Sequence, residues 1–107
     1  MLKITPIVRS SLKHTYPYGA DDVEMSLGTT ERMRAGIAEA FRANPRCRRV
    51  IVGVAIDDLD GVRACEAAGM HFVVDVETRD GEELNLMVAE PDRVKQQATD
   101  IDSLELT

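Results

Sequence analysis

Tryptophan is absent from this chain, and aromatic residues together make up only 4% of it. A core of stacked rings is therefore excluded, and Val, Ile, Leu, Ala and Met must fill the interior. Cysteine is scarce too: Cys47 and Cys65 are the only two. Two cysteines without a secretory signal exclude a disulfide framework and point to reduced thiols in a cytoplasm. No run approaches the ~20 apolar residues of a membrane span. The opening Met1-Leu2-Lys3-Ile4-Thr5-Pro6 has no apolar stretch of signal-peptide kind. Positive charge is also in short supply, with 13 Lys and Arg against 19 Asp and Glu and a net charge of -6. Such a chain gains little counterion-release energy on a phosphate backbone, so nucleic acid is not expected as a partner.

What remains is ordinary globular sequence. The 107 residues are 44% apolar and 30% charged, enough for one domain with a modest core. Residues 2–12 alternate at Leu2, Ile4 and Val8, which predicts one short strand held to a sheet edge by Pro6. His14 to Asp22 carries turn chemistry and reads as a loop. Val23 to Leu27 alternates and predicts a strand, broken by Gly28. Thr29 or Thr30 then caps a helix whose apolar positions are Met33, Ile37, Ala40 and Phe41, ending near Asn44 before Pro45. Val50 to Ile56 is the most β-branched run and reads as a central strand. Asp57 or Asp58 caps a second helix through Val62, Cys65 and Ala68, which Gly69 stops. Phe72–Glu77 and Leu84–Val88 form a hairpin around Asp80-Gly81. The acidic stretch from Asp92 to Thr107 reads as a mobile terminus in preference to a docked helix. The order β-α-β-α-β-β predicts an α/β (α+β) domain with one mixed sheet.

Signals of catalysis by residue type are weak. Asp57, Asp58 and Asp60 lack the register of a calcium loop, and helix capping explains them better. His14 and His71 lie far apart and in no zinc spacing, so no metal is expected. His14 in its tyrosine-containing loop is the better candidate for a functional histidine. Arg42, Arg46, Arg48 and Arg49 cluster where cations suit a helix C-terminus; capture of an anion is the alternative. No nucleophile-elbow or Walker pattern occurs.

From Gly28-Thr29 onward the motifs fall into a known order. Arg34, Phe41 and Asn44-Pro45 follow, then Arg48-Arg49-Val50-Ile51-Val52, Cys65-Glu66-Ala67-Ala68-Gly69-Met70 and Leu86-Met87. Over residues 22 to 90 this resembles the C-terminal half of a GCN5-related N-acetyltransferase, most closely the siderophore-biosynthesis branch. The resemblance implies a truncated acyl-CoA N-acyltransferase fold over 22–91, preceded by a strand and loop segment, 1–21, and followed by the acidic tail, 92–107. It also implies an acetyl-CoA pyrophosphate loop at Ser26, Leu27, Gly28, Thr29 and Thr30, where backbone N–H groups at a helix start would hold phosphate.

The departures fall where that family keeps its chemistry. Its pyrophosphate-loop positions align with Val23, Ser26 and Gly28, of which only the glycine is kept. Asp21, Asp22 and Glu24 add negative charge nearby. The proton-transferring Asp of the siderophore branch aligns with Ala55, and the acid that protonates the leaving thiolate elsewhere in the superfamily aligns with Cys65. Neither is expected to be catalytic. The expectation is a catalytically impaired relative with residual acetyl-CoA binding. The alternative is a non-catalytic homodimerisation module, because a half-sheet should leave unpaired edges and an uncovered apolar face.

Overall fold

The structure is a computed structural model that describes residues 2–10, 12–13 and 18–91. The expected roles of His14 and of the tail from Asp92 lie outside the described residues. Strands β1 (Ile4–Pro6), β2 (Val23–Met25), β3 (Val50–Ala55), β4 (His71–Glu77) and β5 (Glu83–Ala89) form one sheet in the order β1-β2-β3-β5-β4. Only β2 and β3 run parallel; the other neighbours are antiparallel. Helix α1 (Thr30–Ala43) connects the parallel pair, and α2 (Leu59–Ala67) connects β3 to the hairpin. This is the expected mixed α/β sheet.

Local chemistry sets the element ends. Thr29 caps α1, its side-chain oxygen accepting from the Arg32 N–H at 3.2 Å. Asp58 caps α2 through the Gly61 N–H at 2.9 Å. That contact accounts for one of the acidic residues between Asp57 and Asp60. Gly69 ends α2 at φ +95°, a conformation side chains resist. The Met70 and Gly69 N–H groups then donate back to Cys65 and Glu66 carbonyls, each at 3.0 Å, in a Schellman arrangement. In the β4–β5 hairpin Gly81 takes φ +85°, and the Thr78 N–H donates to the Glu82 carbonyl at 2.9 Å.

Alternation sorts the sheet into two cores. Val50, Val52, Val54, Met87 and Ala89 pack with Met25 beneath Met33 and Ala40 of α1 and Cys65 of α2. Both helices therefore cover one face. The intervening residues Ile51, Leu84, Leu86 and Val88 point the other way and pack with Ile7 and Leu12. Their burial corrects the expectation of an uncovered apolar face. The chain leaves β1 at Pro6, enters a 3-10 turn (Ile7–Arg9) and lays two aliphatic side chains over the sheet.

Two further differences have local causes. The N-terminal strand is shorter than the alternation predicts, because after Pro6 the Ile7 N–H donates to the Asp22 carbonyl at 2.9 Å and the chain turns. In β4 the register shifts between Phe72 and Val74. Val73 and Val74 both reach the second core, and Phe72 is left 50% exposed.

Candidate functional site

Parallel pairing between β2 and β3 covers only Val23↔Val50 and Glu24↔Ile51. Strand β3 continues to Ala55, whereas the chain after Met25 turns through residues 26–29 into α1. Beyond Glu24 and Ile51, therefore, the two paths part at the carboxyl end of the sheet's one parallel pair. Ligands in open α/β sheets commonly bind at such a divergence of strands. The α1 N-terminus opens there, and its unpaired N–H groups and dipole favour an anion.

Each expected ligand-loop residue has a definite place. Ser26 and Leu27 are exposed. The Ser26 N–H is already given to the Lys3 carbonyl at 3.0 Å. Gly28 is half-buried, and a Cβ on it would lie 2.7 Å from Leu2 Cδ2. Thr29 serves as the cap. The Thr30 hydroxyl turns to α2 and donates to the Ala64 carbonyl at 3.1 Å, while Arg34 donates to the Ala67 carbonyl at 2.6 Å. These two bonds fix the start of α1 against the end of α2. Helix geometry leaves the first-turn N–H groups without intrahelical acceptors, and Thr29 takes only that of Arg32. Those of Thr30 and Glu31 remain for a phosphate. A groove of about 270 Å³ is lined by Leu2, Arg32, Ala35 and Gly36. Leu2 lies against the Gly28 backbone at this helix start.

The negative charge expected near this loop is placed differently. Asp22 is 1% exposed and lies before β2, at the strand end opposite the loop. Its carboxylate accepts from the backbone N–H groups of Gly19 at 2.8 Å, Arg48 at 3.3 Å and Arg49 at 3.1 Å. The Arg49 guanidinium stands 3.6 Å away. The Asp21 carboxylate accepts from the Asn44 side chain at 3.3 Å. Glu24 accepts from the Ser10 hydroxyl. The arginine cluster is dispersed in the same way: Arg42 pairs with Glu39 within its own helix at 2.5 Å, and Arg49 with Asp22. No sequence signal identified the Leu2 contact or the Asp22 clamp, since Leu2 meets Gly28, and Asp22 meets Arg48 and Arg49, far along the chain.

Ala55 and Cys65 do not form a pair. Ala55 is exposed at the end of β3. Cys65 is wholly buried between the helices, its Sγ 3.8 Å from Met33 Sδ. Burial, with Asp58 and Glu66 nearby, pushes its thiol up to about 11. Cys47 is also buried, and burial raises its thiol too; its Sγ donates to the Arg49 carbonyl at 3.3 Å. Past β3 lies another hollow of about 260 Å³, walled by Ile56, Asp75, Val76, Glu77 and Glu83. Its carboxylates make it unsuited to phosphate. Among the described residues no cluster of His, Cys, Asp and Glu could hold a metal ion, and no helix is long and apolar enough to cross a membrane.

No protein-family model matches the sequence, and no curated relative does. Solved structures do match. One is aminoglycoside acetyltransferase AAC(6')-Ib in complex with coenzyme A and kanamycin, with a TM-score of 0.63 and 20% identity. The match covers 75% of this chain and 52% of that one. The same enzyme in complex with paromomycin and acetyl-CoA matches at a TM-score of 0.63 and 20% identity, over 74% and 50% of the two chains. This chain thus spans about half the length of the structures it matches. At this identity the likeness shows the fold: the chain carries roughly half of a GCN5-related acyl-CoA N-acyltransferase fold.

Proposed function

We propose that the chain binds acetyl-CoA at residues 26–30 and does not transfer the acetyl group unaided. The parting of the single parallel strand pair at the α1 N-terminus carries this reading. Thr30 and Glu31 N–H groups and the α1 dipole would hold phosphate. When bound, acetyl-CoA would supply an activated acyl group. The chain's own groups fall short of using it. Ala55 cannot accept a proton from an amine, and Cys65 is buried with a raised pKa, so it cannot readily protonate a leaving thiolate. The structures it resembles bind coenzyme A or acetyl-CoA, which supports the ligand. The motif order from residue 22 to 90 supports the siderophore branch as the nearest kin, and two buried free thiols fit a cytoplasmic protein.

Isothermal titration with acetyl-CoA tests the binding. Saturable heat in the micromolar range is expected; silence at millimolar ligand would refute it. A second reading is a homodimerisation module. One observation favours it: among the described residues β4 ends the sheet with no further strand paired to it, and it carries the exposed Phe72. Sedimentation at rising concentration decides it, and a persistent monomer would remove it.

A further inference from the structure

We propose that Leu2 is a gate over the acetyl-CoA loop, a built-in inhibitory contact that ligand must displace. The inference rests on the binding reading above. Glycine at position 28 would let a phosphate come close to the backbone. Leu2 takes that approach instead: Cδ2, Cδ1 and Cγ would lie 2.7, 3.0 and 3.4 Å from a Cβ at Gly28. The next residue strengthens the cover, since the Lys3 carbonyl holds the Ser26 N–H at 3.0 Å and so removes one loop donor. The segment is anchored behind the gate by Ile4↔Met25 pairing in β1 and β2.

The gate is light. Leu2 precedes the strand, is only half-buried and lines the open groove with Arg32, Ala35 and Gly36. It also packs against the first core, so opening the gate costs that contact but none of the β1 ladder pairs, which begin at Ile4. Once the gate opens, Gly28 is uncovered beside the free N–H groups of Thr30 and Glu31. Arg32 lines the same groove and brings a positive charge to a phosphate that enters it. One leucine thus both completes the packing of the unliganded protein and sets a threshold for ligand entry.

Titration of coenzyme A into the whole chain and into Leu2→Ala and Leu2→Phe variants tests the gate. Loss of a half-buried leucine side chain should tighten binding by about five- to tenfold in Leu2→Ala. Leu2→Phe should weaken it, because the larger side chain fills more of the approach. Urea unfolding of each variant reports whether the fold is kept. Equal affinity in wild type and both variants overturns the gate and leaves the binding site standing. Weaker binding in Leu2→Ala also overturns it, making Leu2 a ligand contact. If none of the three binds at millimolar coenzyme A, the site itself is wrong and the gate falls with it.

Discussion

Replacing Asp22 should destabilise this protein more than any surface change. The carboxylate is 1% exposed and accepts three backbone N–H groups, from Gly19, Arg48 and Arg49. It stands where structure is thin, since β2 and β3 share only two register pairs. Asp22 ties the loop before β2 to the segment entering β3 and so fixes how the parallel pair begins. Hydrogen bonds to a charged acceptor are worth about 1.5–3 kcal/mol each, but solvent can reach part of the Arg48 segment. Asp22→Ala should therefore cost about 3–4 kcal/mol, a large share of the roughly 5–15 kcal/mol of a typical domain. Asp22→Asn keeps one oxygen for Arg48 and Arg49 but cannot serve Gly19 with its amide nitrogen, so about 1–2 kcal/mol is expected. Urea unfolding is the assay. With a slope of about 1.5 kcal/mol per molar, the midpoint should fall by about 2 M for alanine and about 1 M for asparagine. A loss under about 1 kcal/mol for alanine would refute the clamp. So would equal losses for the two variants, because the argument depends on the acceptor count.

Gly61→Ala should lower the thermal midpoint despite alanine's better helix propensity. Its Cβ would sit 2.6 Å from Asp58 Oδ2 and 2.9 Å from Val54 Cγ1, and overpacking of this kind costs about 1–3 kcal/mol. A rise in midpoint would refute it. Gly69→Ala meets nothing within 4 Å but forces a side chain to φ +95°, so about 1 kcal/mol is expected from backbone strain alone. An unchanged urea midpoint would contradict that. The buried thiols should resist a disulfide reagent at pH 8 in the native state and react once urea unfolds the chain. The Cys65 pKa is raised to about 11 from its ordinary 9.0. Its contribution is therefore present below pH 9 and is lost as pH rises through 11. Cys65→Ala should show a shallower fall in stability over that window, and identical pH slopes would sink the assignment.

Much of the architecture is legible because its signals are local. Thr29 and Asp58 act on N–H groups three residues away, and Gly69 closes its motif on Cys65 and Glu66. The Asp80-Gly81 turn and the β-branched run from Val50 behave likewise. The candidate loop is named by the family resemblance, while its local frame, a glycine after a strand and a threonine capping the next helix, is legible in the residues. What the loop meets is not legible. Leu2 reaches Gly28 from across an antiparallel strand pair, and no pattern near either residue encodes that contact. Asp22 looked like repulsive charge because sequence proximity to the loop hides that it sits at the other end of β2. The bulge at Val73 follows from the pairing of β4 with β5, since neither strand alone sets its register.

By itself, then, the sequence determined the number, type and ends of most elements and the absence of a ring-based or disulfide-held core. Capping, turn chemistry and hydrophobic alternation act over a few residues and leave their marks there. Only the tertiary structure decided which sheet face Ile7 and Leu12 would close, that Asp22 would be spent on backbone N–H groups, and that Leu2 would stand over Gly28. Those outcomes depend on strand register and on which distant side chains fill one another's space, quantities that exist only once the sheet is assembled.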